Sequence, residues 1–389
     1  MKICATVAEY NPFHLGHLKH LGYIKNELKA ENVIVIMSGD FTQRGEIAAL
    51  DKFTRAKHAI VAGADAVIEL PAVFATANAE YFAKGAINVL SSLNAVNGLC
   101  FGVESGEKDE YISLAKALNN ENREFKKALK EELSKGVSLA KAKFSALKAA
   151  GGEFNEKLVS SPNNILGVEY TKALLAKESG IDIFPMHRDG NHNDATIKKG
   201  ITSARSIREI IKIAKFKRLK KNLPKFVYED LTTYPYDFDK LCLSQVILSS
   251  AEDLGKICDC TEGLNNRIKS LSCENRTIDE LVERVSTKRY TAARVRRILT
   301  ANLLKIDKDF LDDCVSAPLY AKVLAVNKDN KEILPLLKEN SSVPILTRKS
   351  DVAELKKTAL KCFNKDVLAS DLYNLITGRK DNAYMTLFV

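Results

Sequence analysis

The chain has 389 residues, of which 46% are hydrophobic and 28% are charged, and its net charge is +10. This composition is ordinary for a globular protein and argues against long disordered regions, while the length exceeds what one core usually holds. The sequence has no apolar run of about 18 residues and no signal-peptide pattern after Met1. We therefore expect two or more domains, no membrane span and a location in the cytoplasm.

Strand-like and helix-like segments alternate at the start of the chain. The predicted strands are Lys2–Ala8, Asn32–Ser38, Ala64–Leu70 and Val96–Val103. Apolar residues recur at helical spacing between them, in Gly16–Ala30, Asp51–Ala62 and Asn78–Leu93. This order predicts a parallel sheet with right-handed crossovers, in which ligands bind outside the carboxyl ends of the strands.

The rest of the chain is predicted to be mostly helical. A segment at about 107–150 is rich in Lys, Glu, Ala and Leu and predicts a helical insertion, after which Asn163–Ser179 (helix), Ile181–His187 (strand) and Ser203–Ala214 (helix) follow. We predict an α/β fold in which residues 1–215 form a Rossmann-like domain with a parallel sheet. Residues 216–389 are predicted to form a mostly helical, basic region with a small α/β segment, because short β-type runs occur at about 316–350.

The motif with the most chemical information follows the first predicted strand and reads Glu9-Tyr10-Asn11-Pro12-Phe13-His14-Leu15-Gly16-His17. Gly16 lets a ligand approach the backbone, and the helix N-terminus after it offers N–H groups to phosphate. His14 and His17 flank this glycine, so their imidazole N–H groups can hold phosphates and stabilise charge as pyrophosphate leaves. Two alternatives stay open: a chance pair of histidines near a turn, and a metal pair whose third ligand is not nearby in sequence.

The spacing His14-x-Gly16-His17 resembles the HxGH signature of the nucleotidylyl-transferase superfamily. A second signature of that superfamily, a Ser/Thr-rich turn ending in Ile-Arg, resembles the segment Thr202-Ser203-Ala204-Arg205-Ser206-Ile207-Arg208. This resemblance makes Ser203 and Arg208 candidates for phosphate binding at a helix N-terminus. Arg205 departs from the pattern, which more often has a small hydroxyl residue there.

Four ordered blocks are similar to the bacterial tRNA(Met) cytidine acetate ligase family, and the likeness runs over most of the chain. The blocks are Glu9–His14, Gly39–Glu46, Pro162–Gly167 and Thr287–Thr291. In that family acetate and ATP form acetyl-adenylate, and the acetyl group passes to the wobble cytidine of elongator tRNA(Met) to give N4-acetylcytidine. The resemblance implies ATP, acetate and elongator tRNA(Met) as substrates, and Mg²⁺ that arrives with ATP and is held mostly by phosphate oxygens and water. No dedicated metal site and no protein partner are expected.

The resemblance also implies which residues form the site, with His14 and His17 as the catalytic pair. The implied ATP-binding residues are Val7, Ala8, Glu9, Tyr10, Asn11, Pro12, Phe13, His14, Leu15, Gly16, His17, Leu18, Lys19, His20, Gly102, Asn163 and Arg188. Gly102 and Arg188 lie at the ends of predicted strands, at one edge of the sheet. Asn163 has an alternative role as the N-cap of its helix.

The block Gly39–Glu46 follows the second predicted strand and has more polar side chains than a connector needs. Lys52 and Arg55 come next, at a helix start, where a cation opposes the helix dipole. A substrate-facing role, toward acetate or the incoming cytidine, would explain this pattern. An ordinary hydrated loop is the alternative.

Nearly all of the net charge lies between Lys198 and Asp309, which suggests a polyanionic partner. The stretches Lys212–Lys225 and Arg284–Arg297 concentrate this charge. The second is richer in arginine and contains a tyrosine, which suits RNA phosphates and an unstacked base. We therefore assign tRNA binding to Lys288, Arg289, Tyr290, Arg294, Arg296 and Arg297, while a solvated helix surface is the alternative.

Two further functions and one cysteine cluster stay open at this point. The functions are a small-molecule adenylyltransferase and an RNA-binding protein with a degenerate nucleotide site, although the intact His14, Gly16 and His17 argue against the latter. Cys258 and Cys260, with Cys273 further on, lack the paired Cys-x2-4-Cys spacing of zinc sites. Three unrelated thiols are therefore favoured over a metal site.

Overall fold

The fold was analysed in a computed structural model, which describes residues 2–137, 139–188, 203–232, 237–287 and 289–389. In this part of the chain eight strands form one sheet. They are β1 Ile3–Ala8, β2 Asn32–Ser38, β3 Ala66–Leu70, β4 Gly98–Val103, β5 Asp182–His187, β6 Ala321–Val326, β7 Ile345–Leu346 and β8 Leu387–Phe388.

The sheet has the order β5-β4-β1-β2-β3-β6-β7, and β8 pairs with β6. Strands β1 to β5 are mutually parallel, which confirms the predicted parallel sheet. Because β1 has β2 on one side and β4 on the other, the chain reverses its direction of winding at β1. Ligands of open α/β sheets bind at such a point, outside the carboxyl ends of the strands.

Helices connect and cover the strands. The helices of the first half are α1 Leu15–Asn26, α2 Lys52–Val61, α3 Ala72–Ala75, α4 Ala79–Ser92, α5 Lys108–Asn119, α6 Arg123–Ser134, α7 Leu139–Ala149, α8 Lys157–Ser160, α9 Pro162–Ala176 and α10 Ala204–Lys212. Several of them begin with a side-chain N-cap. Asp51 accepts a hydrogen bond from Thr54 N at the start of α2, and Asn78 accepts one from Tyr81 N at the start of α4. The helices α5, α6 and α7 lie in the segment at about 107–150 for which a helical insertion is predicted.

The second half is also mostly helical, as predicted. Its helices are α11 Lys225–Glu229, α12 Phe238–Leu248, α13 Ala251–Gly255, α14 Leu264–Leu271, α15 Ile278–Val285, α16 Ala292–Leu303, α17 Lys308–Ser316, α18 Ile333–Asn340 and α19 Lys357–Thr377. Short 3-10 turns occupy Phe216–Leu219, Ser272–Glu274 and Lys349–Glu354. Within the described ranges, no helix is both long and apolar enough to cross a bilayer.

Two apolar layers cover the two faces of the sheet, because successive side chains of a strand point to opposite faces. Val33 and Val35 of β2 belong to the layer formed with α1, α2, α10 and α11. Ile34 and Ile36 belong to the other layer, which includes residues of α4, α9, α12, α16 and α19. The helices of the basic half therefore share a core with the sheet.

The division near residue 215 stays a prediction, but the sheet continues across it. The strand β6 pairs with β3 in antiparallel register, with Glu69 opposite Lys322 and Ala66 opposite Val326. All six residues of β6 are buried. The predicted β-type runs of the tail thus extend the N-terminal sheet. A strand that is buried on both faces needs a neighbouring strand on each edge to pair its backbone N–H and C=O groups.

Candidate active site

The loop after β1 brings the predicted histidines to the start of α1. His14 is the N-cap of α1, and its Nδ1 accepts a hydrogen bond from Gly16 N at 3.1 Å. His17 returns the bond, since its Nδ1 accepts from His14 N at 3.2 Å. The two rings are stacked, with centroids 3.7 Å apart and planes inclined by 15°. The motif therefore closes on itself as a reciprocal cap made of two imidazoles.

This cap fixes the tautomer of both rings. Because each Nδ1 accepts a backbone N–H, the proton of each neutral imidazole lies on Nε2. The Nε2–H group is the kind of donor that a phosphate oxygen needs, and it belongs to residues at the N-terminus of α1, where the helix dipole favours an anion. The pair is thus arranged as an anion-binding donor set at a helix N-terminus.

Aromatic packing holds the pair in place. Tyr10 has φ of 47° and lies edge-on to both His17 and Phe13, with ring centroids 4.8 Å away in each case. Phe13 also packs against Phe226 of α11 at 6.2 Å. Tyr10, Phe13 and His14 are buried. The ring of His17 therefore packs against a buried aromatic surface, which restricts its orientation.

A second cluster lies at the carboxyl end of β4 and contains three of the predicted ATP-binding residues. The side chain of Arg188 covers Gly102 so closely that a Cβ atom there would lie 2.9 Å from Arg188 Cδ. Arg188 Nη1 donates to Asn163 Oδ1 at 3.5 Å, and Asn163 Nδ2 donates to Glu104 Oε1 at 2.6 Å. Glu104 is a residue of this cluster that the sequence analysis did not identify. Its position directly after β4, where ligands of parallel sheets bind, is the signal that could have identified it.

Asn163 is not the N-cap of α9, so that alternative is wrong. The N-cap is Ser161, and Asn163 lies inside the first turn. Glu104 Oε2 accepts from Asn164 N at 3.2 Å, which joins this carboxylate to the start of α9. Burial lowers the pKa of Arg188, and the nearby Glu104 carboxylate opposes that change. The amide of Asn163 is therefore held between an anion and a cation.

The remaining predicted residues of the α1 region differ in their exposure. Leu18 and Lys19 are exposed on α1, whereas Val7 and Ala8 end β1 and are half-buried. The Nε2 atom of His20 lies 3.2 Å from Cys100 Sγ. Burial, helped by the nearby Arg188, lowers the pKa of His20 to about 4. His20 is therefore neutral at physiological pH.

The loop after β2 is not an ordinary hydrated loop, so that alternative is wrong for its buried residues. Asp40 is buried and its Oδ1 accepts from Lys52 N at 2.9 Å. Lys52 Nζ in turn donates to both oxygens of Glu69, at 2.8 and 3.0 Å. A Cβ atom added to Gly39 would lie only 2.3 Å from Glu69 Oε1, so the Glu69 carboxylate packs directly against this glycine. These groups bind one another, so Lys52 supports the loop from inside the protein.

Arg55 also supports the site from inside. Its guanidinium is completely buried and donates to the carbonyl oxygens of Leu50, Glu9, Ser38 and Gly39, at distances between 2.5 and 3.0 Å. Glu9 and Gly39 follow β1 and β2, so one side chain ties the ends of these two neighbouring strands together. A structural role therefore replaces the predicted substrate-facing role of Arg55.

The second predicted signature reaches the first through Arg208 of α10. Arg208 Nη1 donates to Asn11 O at 2.9 Å, and its Nε lies 3.7 Å from Glu46 Oε2. Ser203 caps α10 and accepts from Ser206 N at 3.2 Å, while Thr202 lies outside the described residues. The α10 signature and the loop after β2 thus meet at the histidine motif.

Positive charge accumulates at this meeting point. Burial lowers the pKa of Arg44, and the nearby Arg208 and Arg205 lower it further, while Glu9 and Glu46 oppose the change. Guanidinium groups placed together in a half-buried site favour an anion between them. With the donor pair at α1, this arrangement suits the phosphates of a nucleotide.

The arginines of α16 divide between two sides of the helix. Arg294 Nε donates to Asp259 O at 2.8 Å, and Arg297 Nη2 lies 3.8 Å from Asp259 Oδ2. Arg296 instead pairs with Asp279 of α15. The backbone of Arg296 and Arg297 also touches Gly45, where a Cβ would lie 2.4 Å from Arg296 C. The helix that carries the predicted RNA residues is therefore in direct contact with the loop after β2.

The other members of the predicted tRNA-binding set lie just before α16. Arg289 is exposed and pairs with Glu262 at 2.5 Å, and the Tyr290 hydroxyl donates to Glu262 O at 2.9 Å. Arg294 lies over the Tyr290 ring at 5.3 Å. Lys288 lies outside the described residues. The role of this set stays a prediction.

The cysteine cluster has free thiols in different surroundings. Cys260 is buried, Cys258 is half-buried and Cys273 is exposed. Burial raises the pKa of Cys258 to about 12 and that of Cys260 to about 11, which keeps both thiols protonated. In the described ranges, no three His, Cys, Asp or Glu side chains are grouped so that they could hold a metal ion.

Comparison with known sequences agrees with this geometry. A family model described as HIGH Nucleotidyl Transferase matches residues 1–386. The chain is 39% identical over 384 residues to the tRNA(Met) cytidine acetate ligase of Thermoanaerobacter sp. (strain X514), covering 96% of this chain and 95% of the relative. It is 37% identical over 389 residues to the protein of the same name from Clostridium perfringens (strain ATCC 13124), covering 97% and 96%.

Comparison with solved structures gives the same result over the full length. Apo TmcAL of Thermotoga maritima superposes with a TM-score of 0.93 at 30% identity, and each chain covers 100% of the other. TmcAL of Thermotoga maritima bound with alpha-thio ATP superposes with a TM-score of 0.90, at the same identity and coverage. The chain therefore belongs to the HIGH nucleotidyl transferases and, among them, to the tRNA(Met) cytidine acetate ligase family.

Proposed function

We propose that this protein is an ATP-dependent ligase that acetylates the wobble cytidine of elongator tRNA(Met), using acetate. The observation that carries the proposal is the donor pair of His14 and His17 at the start of α1, with Arg208 joined to the same loop. A site of this kind would bind and activate a nucleoside triphosphate. Because both the tRNA and ATP occur in the cytoplasm, we propose that compartment for the reaction.

In the first step an oxygen of acetate attacks the α-phosphorus of ATP. The bond between that phosphorus and the bridging oxygen of the leaving group breaks, which gives acetyl-adenylate and pyrophosphate. Charge accumulates on the pyrophosphate as it leaves, and the Nε2–H groups of His14 and His17 would stabilise it. The cluster of Gly102, Asn163 and Arg188 would hold the nucleoside end at the carboxyl edge of β4.

In the second step the exocyclic amine of the cytidine attacks the acyl carbon of acetyl-adenylate. The new C–N bond forms as the bond to the phosphate oxygen breaks, and AMP leaves while the nitrogen loses one proton. Acetyl-adenylate is already activated, so this step makes small demands on a general base. Magnesium would accompany ATP, bound by phosphate oxygens and water, since the described residues offer no grouped set of metal ligands.

The test is to incubate the protein with ATP, labelled acetate and tRNA. We expect label in the tRNA, at a cytidine, and formation of AMP and pyrophosphate. Pyrophosphate release that depends on a small acceptor other than acetate, with no label in the tRNA, would instead indicate a small-molecule adenylyltransferase. RNA binding with no turnover would indicate an RNA-binding protein with a degenerate nucleotide site. Either of these outcomes would contradict the proposal.

Glu104→Gln is expected to raise the KM for ATP about tenfold, with a smaller change in kcat. The reason is that Asn163 Nδ2 loses a charged acceptor and Arg188 loses its counter-charge, and charge-assisted hydrogen bonds are worth roughly 1.5–3 kcal/mol. The measurement is KM and kcat for acetate-dependent adenylate formation.

Glu107→Gln provides the matched control for this variant. Glu107 is three residues away, its side chain is exposed, and it pairs with His187 rather than with the cluster. We expect the control to keep the normal KM. An unchanged KM in Glu104→Gln would mean that Glu104 does not position the nucleotide-binding groups.

A further inference from the structure

The two basic stretches of the sequence differ in whether their cations are paired with other groups of the protein. In the stretch Arg284–Arg297 the arginines have acidic or carbonyl partners inside the protein. Arg284 pairs with Glu274, and the pairs of Arg289, Arg296 and Arg297 are described above. An RNA phosphate that binds these side chains must compete with a partner that already uses part of their donor capacity. Contacts of that kind bring little net gain in free energy.

The first stretch has no such pairing at its centre. Five cations there, Lys215, Lys217, Arg218, Lys220 and Lys221, are exposed. Among the residues that the structure describes, no carboxylate lies within ion-pair distance of any of them. The sequence has no Asp or Glu between Glu209 and Glu229. We call these five cations the Lys215–Lys221 surface.

This surface is firmly attached to the protein. Leu219 and Leu223 are buried in the layer that α1, α2 and α10 form on the sheet. The turn is closed by hydrogen bonds from Asn222 N and Leu223 N to Leu219 O, at 2.9 and 3.2 Å. The five charges therefore protrude from an ordered turn, so binding a phosphate backbone would not require the segment to fold first.

The two elements that flank this surface in the chain both contact the active site. The helix α10, which precedes it, carries Arg208 and so reaches Asn11 of the histidine motif. The helix α11, which follows it, places Phe226 against Phe13 at 6.2 Å. The surface is thus held on both sides by elements of the nucleotide site.

We propose that the Lys215–Lys221 surface is the main phosphate-contacting surface for the RNA substrate; this inference rests on the function proposed above. Unpaired exposed cations release counterions from RNA without first losing a protein partner, so each can contribute to affinity. An RNA backbone fits better than an anionic membrane, because the surface adjoins a site to which a cytidine must be delivered. The arginine stretch would then orient the RNA with fewer phosphate contacts.

The test is a variant in which Lys217, Arg218, Lys220 and Lys221 are all replaced by alanine. tRNA affinity would be measured across a salt series for wild type and variant. Each phosphate contact contributes roughly 0.7–0.9 to the slope of log K against log salt, so losing four contacts should flatten the slope by about 3 units. Acetyl-adenylate formation from ATP and acetate should stay normal, because no tRNA takes part in that step.

The matched control removes four cations elsewhere. Arg123, Lys126, Lys127 and Lys130 of α6 are exposed, and α6 packs on α7 within the insertion. Replacing these four by alanine changes the net charge equally, and we expect the wild-type slope. Equal slopes for all three proteins, or equal flattening in both variants, would overturn the proposal. So would a variant that loses binding to vesicles of anionic lipid while keeping wild-type tRNA binding.

The experiment also separates this inference from the proposed function. If wild type binds tRNA but forms no acetyl-adenylate, the proposed function fails, and the salt slopes still report on the surface. If acetyl-adenylate forms and the slopes are parallel, the function stands and the surface assignment is wrong.

Discussion

His17→Ala is expected to reduce acetyl-adenylate formation about 10²–10³-fold, which is the typical loss when one preorganised donor is removed from a site of charge development. The His17 ring is stacked on His14 at 3.7 Å, and its Nδ1 holds the backbone N–H of His14. The variant therefore loses one Nε2–H donor and loosens the other. The measurement is the rate of pyrophosphate release from ATP in the presence of acetate.

Two controls make this result specific. Binding of tRNA should be close to normal in His17→Ala, because the cations assigned to RNA lie in other segments. Asn26→Ala replaces an exposed residue in the last turn of the same helix and should leave the rate of pyrophosphate release unchanged. A normal rate in His17→Ala would remove this histidine from the mechanism.

The nucleotide motif could be predicted from the sequence because its geometry is local. A strand, a turn that ends at His14 and a helix start that contains Gly16 already bring His14 and His17 together within four consecutive residues. Their reciprocal hydrogen bonds use only backbone groups of the same turn. No distant residue is needed to place the donors, so a short pattern carries the information.

The cluster at β4 could be predicted only in part. Gly102, Asn163 and Arg188 come from three separate segments, and the family resemblance named them without showing how they meet. Glu104 belongs to no motif, and its role depends on the 2.6 Å hydrogen bond to an amide that follows it by 59 positions. Pairings of this kind arise from the packing of α9 and β5 beside β4, which no local pattern encodes.

The position of β6 shows the same limit at the level of the fold. Its residues read as a buried strand, but a run of buried apolar residues specifies neither the neighbouring strand nor its direction. Its antiparallel neighbour is β3, which lies far from β6 in the sequence. The sequence therefore predicted the strand and left open the sheet that it joins.

Gly45→Ala is expected to lower the free energy of unfolding by about 2–5 kcal/mol. The residue has φ of 69°, a left-handed conformation that costs an L-residue about 1–2 kcal/mol. An added Cβ would also lie 2.4 Å from the backbone carbon of Arg296 and 2.5 Å from Arg297 N, and overpacking of this kind typically costs about 1–3 kcal/mol. The measurement is equilibrium unfolding in urea, together with the rate of acetyl transfer to tRNA.

The contact affected is the one that joins the loop after β2 to α16. Thr300 Oγ1 donates to Gly45 O at 2.9 Å, so helix and loop are held by a hydrogen bond as well as by close packing. The same loop carries Glu46, which lies 3.7 Å from Arg208 at the histidine motif. Separating α16 from the loop should therefore lower acetyl transfer as well as stability.

Gly263→Ala is the matched control, because it isolates the backbone conformation from the contact. Gly263 has φ of 80° at the start of α14, and an added Cβ would meet no atom within 4 Å among the described residues. We expect this variant to lose only the roughly 1–2 kcal/mol of the left-handed conformation and to keep normal acetyl transfer. If Gly45→Ala and Gly263→Ala lose the same stability, α16 can move away from the loop without cost. The contact between the two would then have no part in coupling the nucleotide site to the helical half of the protein.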